Sequence, residues 1–112
     1  NLIVGSWGAV MEGWGTPELK GSLKSINIHT KEIKNLGKKP IGNLDGIEPD
    51  GKGSYYVTDW TGEKLYNINK KGKFKVIAEV GKGAADHEVI LDKNLIIIPV
   101  MAEGKVVALK VK

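Results

Sequence analysis

Two carboxylates in this chain stand where they could do chemistry. Asp45 lies on a tight Asp-Gly corner, Asn43-Leu44-Asp45-Gly46, and Gly46 has no side chain to keep a contacted group away from the backbone. A carboxylate in that position suits a hard divalent cation or a proton transfer. The same corner also suits an Asx-type turn, in which the carboxylate simply accepts neighbouring backbone N–H groups. Asp86-His87-Glu88-Val89 stands where Asp45-Gly46-Ile47-Glu48 stands, so Asp86 takes the equivalent place further along the chain. His87 follows it and qualifies by position, although a lone histidine is more often structural than catalytic. Trp7, Met11 and Trp14 fall in or beside a glycine-rich stretch over residues 8–18, and they are candidates to line or lid a pocket. They suit equally well the packing role that tryptophan fills in most proteins.

The elements that must position these residues are strands. Residues 44–49, 54–60, 64–69 and 74–80 alternate apolar and polar side chains and are rich in aromatic and β-branched types. Asp50-Gly51-Lys52-Gly53, Thr61-Gly62 and Lys70-Lys71-Gly72 separate them as turns. No segment keeps its apolar residues at helical spacing for long, so the stretch predicts a four-stranded antiparallel meander. The pattern repeats: residues 1–7, 54–60 and 94–100 superpose without a gap, each followed by a strand that a glycine introduces. A period of about forty residues with four strands per unit is that of β-propeller blades.

The chain is therefore expected to be all-β, with about two and a half to three blades. Residues 1–42 form a blade without its first strand, 43–83 a full blade, and 84–112 a blade without its last strand. Links between blades run to the innermost strand of the next, which would place Asp45 and Asp86 beside one central channel. His29 falls on a hairpin at the outer edge and is expected to be exposed. Fewer than four blades do not close, and an open arc leaves strand edges and apolar faces in water. The expected partners are the remaining blades of a longer propeller or a second copy of the chain.

Composition narrows the function classes. The 112 residues contain no cysteine, which excludes disulfides, and no apolar run approaches the length of a membrane helix. The net charge of +4 comes from lysine alone, since the chain has no arginine. Nucleic-acid readers lean on arginine forks, and these lysines are scattered over turns such as Lys38-Lys39 and Lys70-Lys71, as on a solvated surface.

Residues 43–60, with Asp-Gly-Ile-Glu-Pro-Asp-Gly running into the aromatic strand Tyr55-Tyr56-Val57-Thr58-Asp59-Trp60, resemble the blade signature of the gluconolactonase/regucalcin (senescence-marker) family of six-bladed propellers. The likeness extends over nearly the whole chain as the family's last three blades. It implies a lactonase or esterase with one divalent cation, most often calcium, held deep in the channel. Asp45 matches the family's aspartate that ligates the metal and is the proposed general base, with Leu44 where the motif has proline. Asp86 and His87 match no family ligand, and the family's other ligands lie in earlier blades. Two functions follow as alternatives. One is a metal-dependent lactone or ester hydrolase acting on a small molecule. The other is a non-catalytic propeller, like those of NHL repeats, that binds a small ligand or protein on its loop face.

Overall fold

A computed structural model describes residues 1–9 and 20–112, so Met11 and Trp14 lie outside the described residues. The described chain is all-β, with ten strands, two short 3-10 turns and no α-helix. The strands are β1 (Leu2–Gly5), β2 (Leu23–Ile26), β3 (Ile33–Asn35), β4 (Leu44–Pro49), β5 (Ser54–Asp59), β6 (Lys64–Asn69), β7 (Phe74–Glu79), β8 (Glu88–Ile90), β9 (Leu95–Val100) and β10 (Lys105–Lys110). They make three antiparallel meanders: β1-β2-β3, β4-β5-β6-β7 and β8-β9-β10. None of the sheets closes on itself. The molecule is a flattened body of 37 × 37 × 22 Å.

Asparagine and aspartate set the hairpins. Asp50 Oδ1 accepts the backbone N–H groups of Lys52 and Ser54 at 2.7 and 2.9 Å, and Gly51 and Gly53 supply the positive φ that this loop needs. Asn69 Oδ1 does the same for Lys71 and Lys73 after β6. Asn27 Oδ1 repeats it for His29 and Thr30 after β2, which leaves His29 exposed on the tip.

Strand alternation gives the middle sheet two apolar faces. Val57, Tyr66 and Ile68 face the first sheet and pack with Leu44, Leu23 and Ile41. Tyr56 and Leu65 face the third and pack with Val80, Ala84, Ile96, Ile98 and Val100. The pairing explains the split: Val57 lies opposite Tyr66, and Thr58 opposite Leu65, so each pair shares a face. Burying each of the larger side chains stabilises the fold by about 1.5–3 kcal/mol.

Both outer faces carry exposed apolar side chains. On the first sheet Leu2 and Ile33 are 55% and 60% exposed and flank Ile26, their common partner in the ladder. On the third, Val106 is 66% exposed opposite Pro99, with Ala108 opposite Ile97 beside them. No helix among the described residues is long and apolar enough to cross a membrane.

Candidate functional site

Asp45 is presented by a break in the strand ladder. Leu44 pairs with Asp59 and Ile47 with Val57, so Asp45 and Gly46 together face the single residue Thr58. Such a bulge turns a side chain out of the regular alternation, and Asp45 is exposed while Leu44 and Gly46 on either side are buried. The bulge is held by one hydroxyl. Gly46 donates its N–H to Thr58 Oγ1 at 2.9 Å, and Thr58 Oγ1 donates in turn to the Ala85 carbonyl at 2.9 Å. Thr58 therefore fixes Asp45 and, through Ala85, the segment that carries Asp86 and His87 from the next sheet.

The absent side chain of Gly46 admits those two residues. A Cβ at Gly46 would lie 2.7 Å from His87 Nδ1, 2.8 Å from Asp86 Cα and 2.9 Å from Asp86 Oδ1. The Asp-Gly corner of β4 and the Asp-His pair before β8 thus pack directly on one another. Gly46→Ala is expected to push this seam apart and cost about 1–3 kcal/mol, because backbone stands in the way. A lowered urea midpoint with an unchanged m-value is the check.

Electrostatics follow from this proximity. Although its surface is open, partial desolvation against the seam raises the Asp45 carboxyl above its ordinary range and the charge of Asp86 adds to the rise, while the Asp86 backbone N–H works against it. Burial also raises Glu48, helped by Glu88 and Asp86. Four carboxylates thus interact along the β4/β8 seam, and Asp45 and Glu48 are both raised by their carboxylate neighbours. His87 is 5% exposed, and neither ring nitrogen has a hydrogen-bond partner among the described residues. Burial lowers its pKa, while the Asp86 charge and the Tyr56 carbonyl act in the opposite direction. It sits behind the corner, against Gly46, rather than on the open side with Asp45.

Trp7 belongs to the neighbouring seam. Its ring meets Trp60 at 6.2 Å with an interplanar angle of 56°, and its carbonyl accepts the Asn43 side-chain N–H at 2.8 Å. Asn43 is fully buried, and its Oδ1 accepts the hydroxyl of Thr61. Its backbone N–H goes to Asp59 Oδ1 at 3.0 Å, and Asp59 also accepts from the Gly62 N–H and the Tyr66 hydroxyl, each at 3.0 Å. Strand patterning alone does not single out Asn43, Thr58 or Asp59. The available signal was Asp59 three residues before Gly62, the spacing of a side-chain cap on a turn.

The chain matches no family model, no curated protein and no solved structure.

Whether a cation fits is decided by the donor set. Among the described residues no three His, Cys, Asp or Glu side chains stand together as metal ligands. Asp45 and Asp86 offer two carboxylates, short of the 6–8 oxygens that calcium takes. These residues alone do not make a calcium site.

Proposed function

We propose that the chain is part of a gluconolactonase-like β-propeller that hydrolyses lactones or related esters of small molecules, with Asp45 as general base. The observation that supports this reading is the Asp45 bulge. It exposes one carboxylate at the start of β4, raises its basicity, and anchors its backbone through Thr58 to the next sheet. A base so placed can take the proton of a water attacking an ester carbonyl without itself moving. In the family that the sequence resembles, a divalent cation, most often calcium, assists this chemistry. Here the described residues supply too few donors for one, so the oxygens of such a site would have to come from other blades. The test is hydrolysis of a panel of sugar lactones and simple esters by the complete protein, with and without a chelator. Turnover of no lactone or ester in any metal condition overturns the proposal.

The same shortage of metal donors favours a second reading, a non-catalytic propeller that binds a small ligand or a protein on its loop face. Calorimetric binding of an unhydrolysed sugar acid, with no turnover of its lactone, would select it.

The proposal also fixes an assembly. The end of the first sheet carrying Leu2 and Ile33, and the face carrying Val106 and Pro99, are those on which further blades or a second copy would stack, the other end of the first sheet, at Lys24 and Asn35, staying open. The 112-residue chain is expected to self-associate in sedimentation, and charged substitutions at Leu2 and Val106 are expected to return it to a monomer.

A further inference from the structure

A cavity away from the site above carries a different chemistry. About 510 Å³ in volume, it lies between the end of β1, the start of β2 and the link over residues 37–40. That volume is in the range that holds a small ligand rather than a macromolecule. Among the described residues its walls carry Lys20, Lys24, Lys38 and Lys39 and no carboxylate. None of these four lysines is ion-paired among the described residues, whereas Lys34, Lys64 and Lys105 each have a glutamate partner. Lys24 is already oriented, donating to Asn35 Oδ1 at 2.6 Å, and the hydroxyl-bearing Ser6 and Ser22 add polar groups.

The frame around the cavity is stiff. Gly21 donates to the Gly42 carbonyl at 2.7 Å and accepts from the Ile41 N–H at 2.7 Å, which ties β2 to the link. A Cβ at Gly21 would lie 1.9 Å from the Ser6 carbonyl oxygen, so the chain just after β1 and just before β2 meets here backbone to backbone. A concave surface lined by one sign of charge concentrates the opposite sign, and lysine ammonium groups bind phosphate or carboxylate as point charges.

We propose that this cavity binds the phosphate or carboxylate group of a small anionic molecule. The identity of that molecule as a substrate, an acidic or phosphorylated lactone or ester, rests on the hydrolase reading; the anion site itself does not.

The probe is inorganic pyrophosphate, titrated calorimetrically into the complete protein. Lys38→Gln with Lys39→Gln is expected to weaken binding about a hundredfold, since losing each charge-assisted contact costs about tenfold. Lys70→Gln with Lys71→Gln, the same change of charge on a distant hairpin, should alter it less than twofold. Raising the salt concentration should weaken binding to the unsubstituted protein. Citrate as a second probe separates a phosphate preference from a carboxylate one, and binding of either supports the site. In the unsubstituted protein the backbone amides of Gly21, Ser22 and Asn35 should shift on titration, which keeps the test independent of whether the variants fold. Absence of binding, shifts confined elsewhere, or equal losses in both lysine pairs overturn the proposal. So does a change of assembly state in the Lys38/Lys39 variant without loss of pyrophosphate. Pyrophosphate binding without any lactone turnover retires the hydrolase and leaves the anion site. Turnover without such binding does the reverse.

Discussion

Replacing Asp59 with alanine is expected to cost about 3–5 kcal/mol, a large share of the 5–15 kcal/mol by which a domain of this size is stable. The carboxylate is 2% exposed and takes three hydrogen bonds, from the backbone N–H groups of Asn43 and Gly62 and from the Tyr66 hydroxyl. Removing it strands two buried donors, on Asn43 and Tyr66, and the half-buried one of Gly62, and an unpaired buried donor costs about 1–3 kcal/mol. Gly42 and Gly62 make the space: a Cβ on either would lie 2.1 Å from Asp59 Oδ2. Asp59→Asn is expected to be milder, because its amide oxygen can keep both backbone bonds while its NH₂ turns to the phenol oxygen. The same knot sets an alkaline limit. Burial, the Asp59 charge and the hydrogen bond to it all raise the Tyr66 phenol above its ordinary value. A group whose folded pKa is raised stabilises below the unfolded pKa, about 10 for tyrosine, and that contribution is lost as pH rises through the folded value. The urea midpoint should therefore fall above about pH 10, and the fall should be smaller in Tyr66→Phe. Equal alkaline losses in both proteins would contradict the assignment.

Asp45→Asn is expected to lower kcat for lactone hydrolysis about 10²–10⁴-fold, the usual contribution of a positioned base. Asparagine nearly matches the carboxylate in shape, and Asp45 is exposed with its backbone held by Thr58, so the fold should survive. His29→Ala, on an exposed hairpin tip, should change nothing. The pH profile separates a base from a residue that merely shapes the site. The base must be ionised, and burial with the Asp86 charge raises its pKa, so the acid limb of kcat should lie above the ordinary aspartate range. Asp86→Asn removes the like charge and should move that limb to lower pH. A limb that stays in place, or full activity in Asp45→Asn, removes Asp45 from the role.

How far the sequence could be read depended on the kind of interaction. Hairpins were legible because Asn69 and Asp50 act through the backbone a few residues away, alongside glycines that permit positive φ. The two-faced middle sheet was legible in the alternation of Tyr56 and Val57. The likeness of Asp45-Gly46 to Asp86-His87 pointed to neighbouring positions, and the two segments do touch. The bulge was not legible, because alternation continues through Leu44, Gly46 and Glu48 whichever residue is extra. Thr58 and Asp59 read as ordinary strand residues, since period-two patterning says which face a side chain takes and nothing of the bond it will make there. His87 gave no hint of its burial, which depends on the missing side chain of a glycine about forty residues away.

The stitching of the middle sheet to its neighbours has an evolutionary corollary. Asn43 reaches across one seam to the carbonyl of Trp7, and Thr58 reaches across the other to the carbonyl of Ala85. Both side-chain donors belong to one sheet, and both acceptors are main-chain atoms that any amino acid provides. Drift at positions 7 and 85 can therefore change the adjoining surfaces without breaking either stitch, whereas drift at 43 and 58 breaks one each. A duplicated copy of this sheet carries its own fasteners and asks only a backbone of whatever it lands beside. Lineages that lengthen or shuffle such units would keep Asn43 and Thr58 long after their neighbours had become unrecognisable.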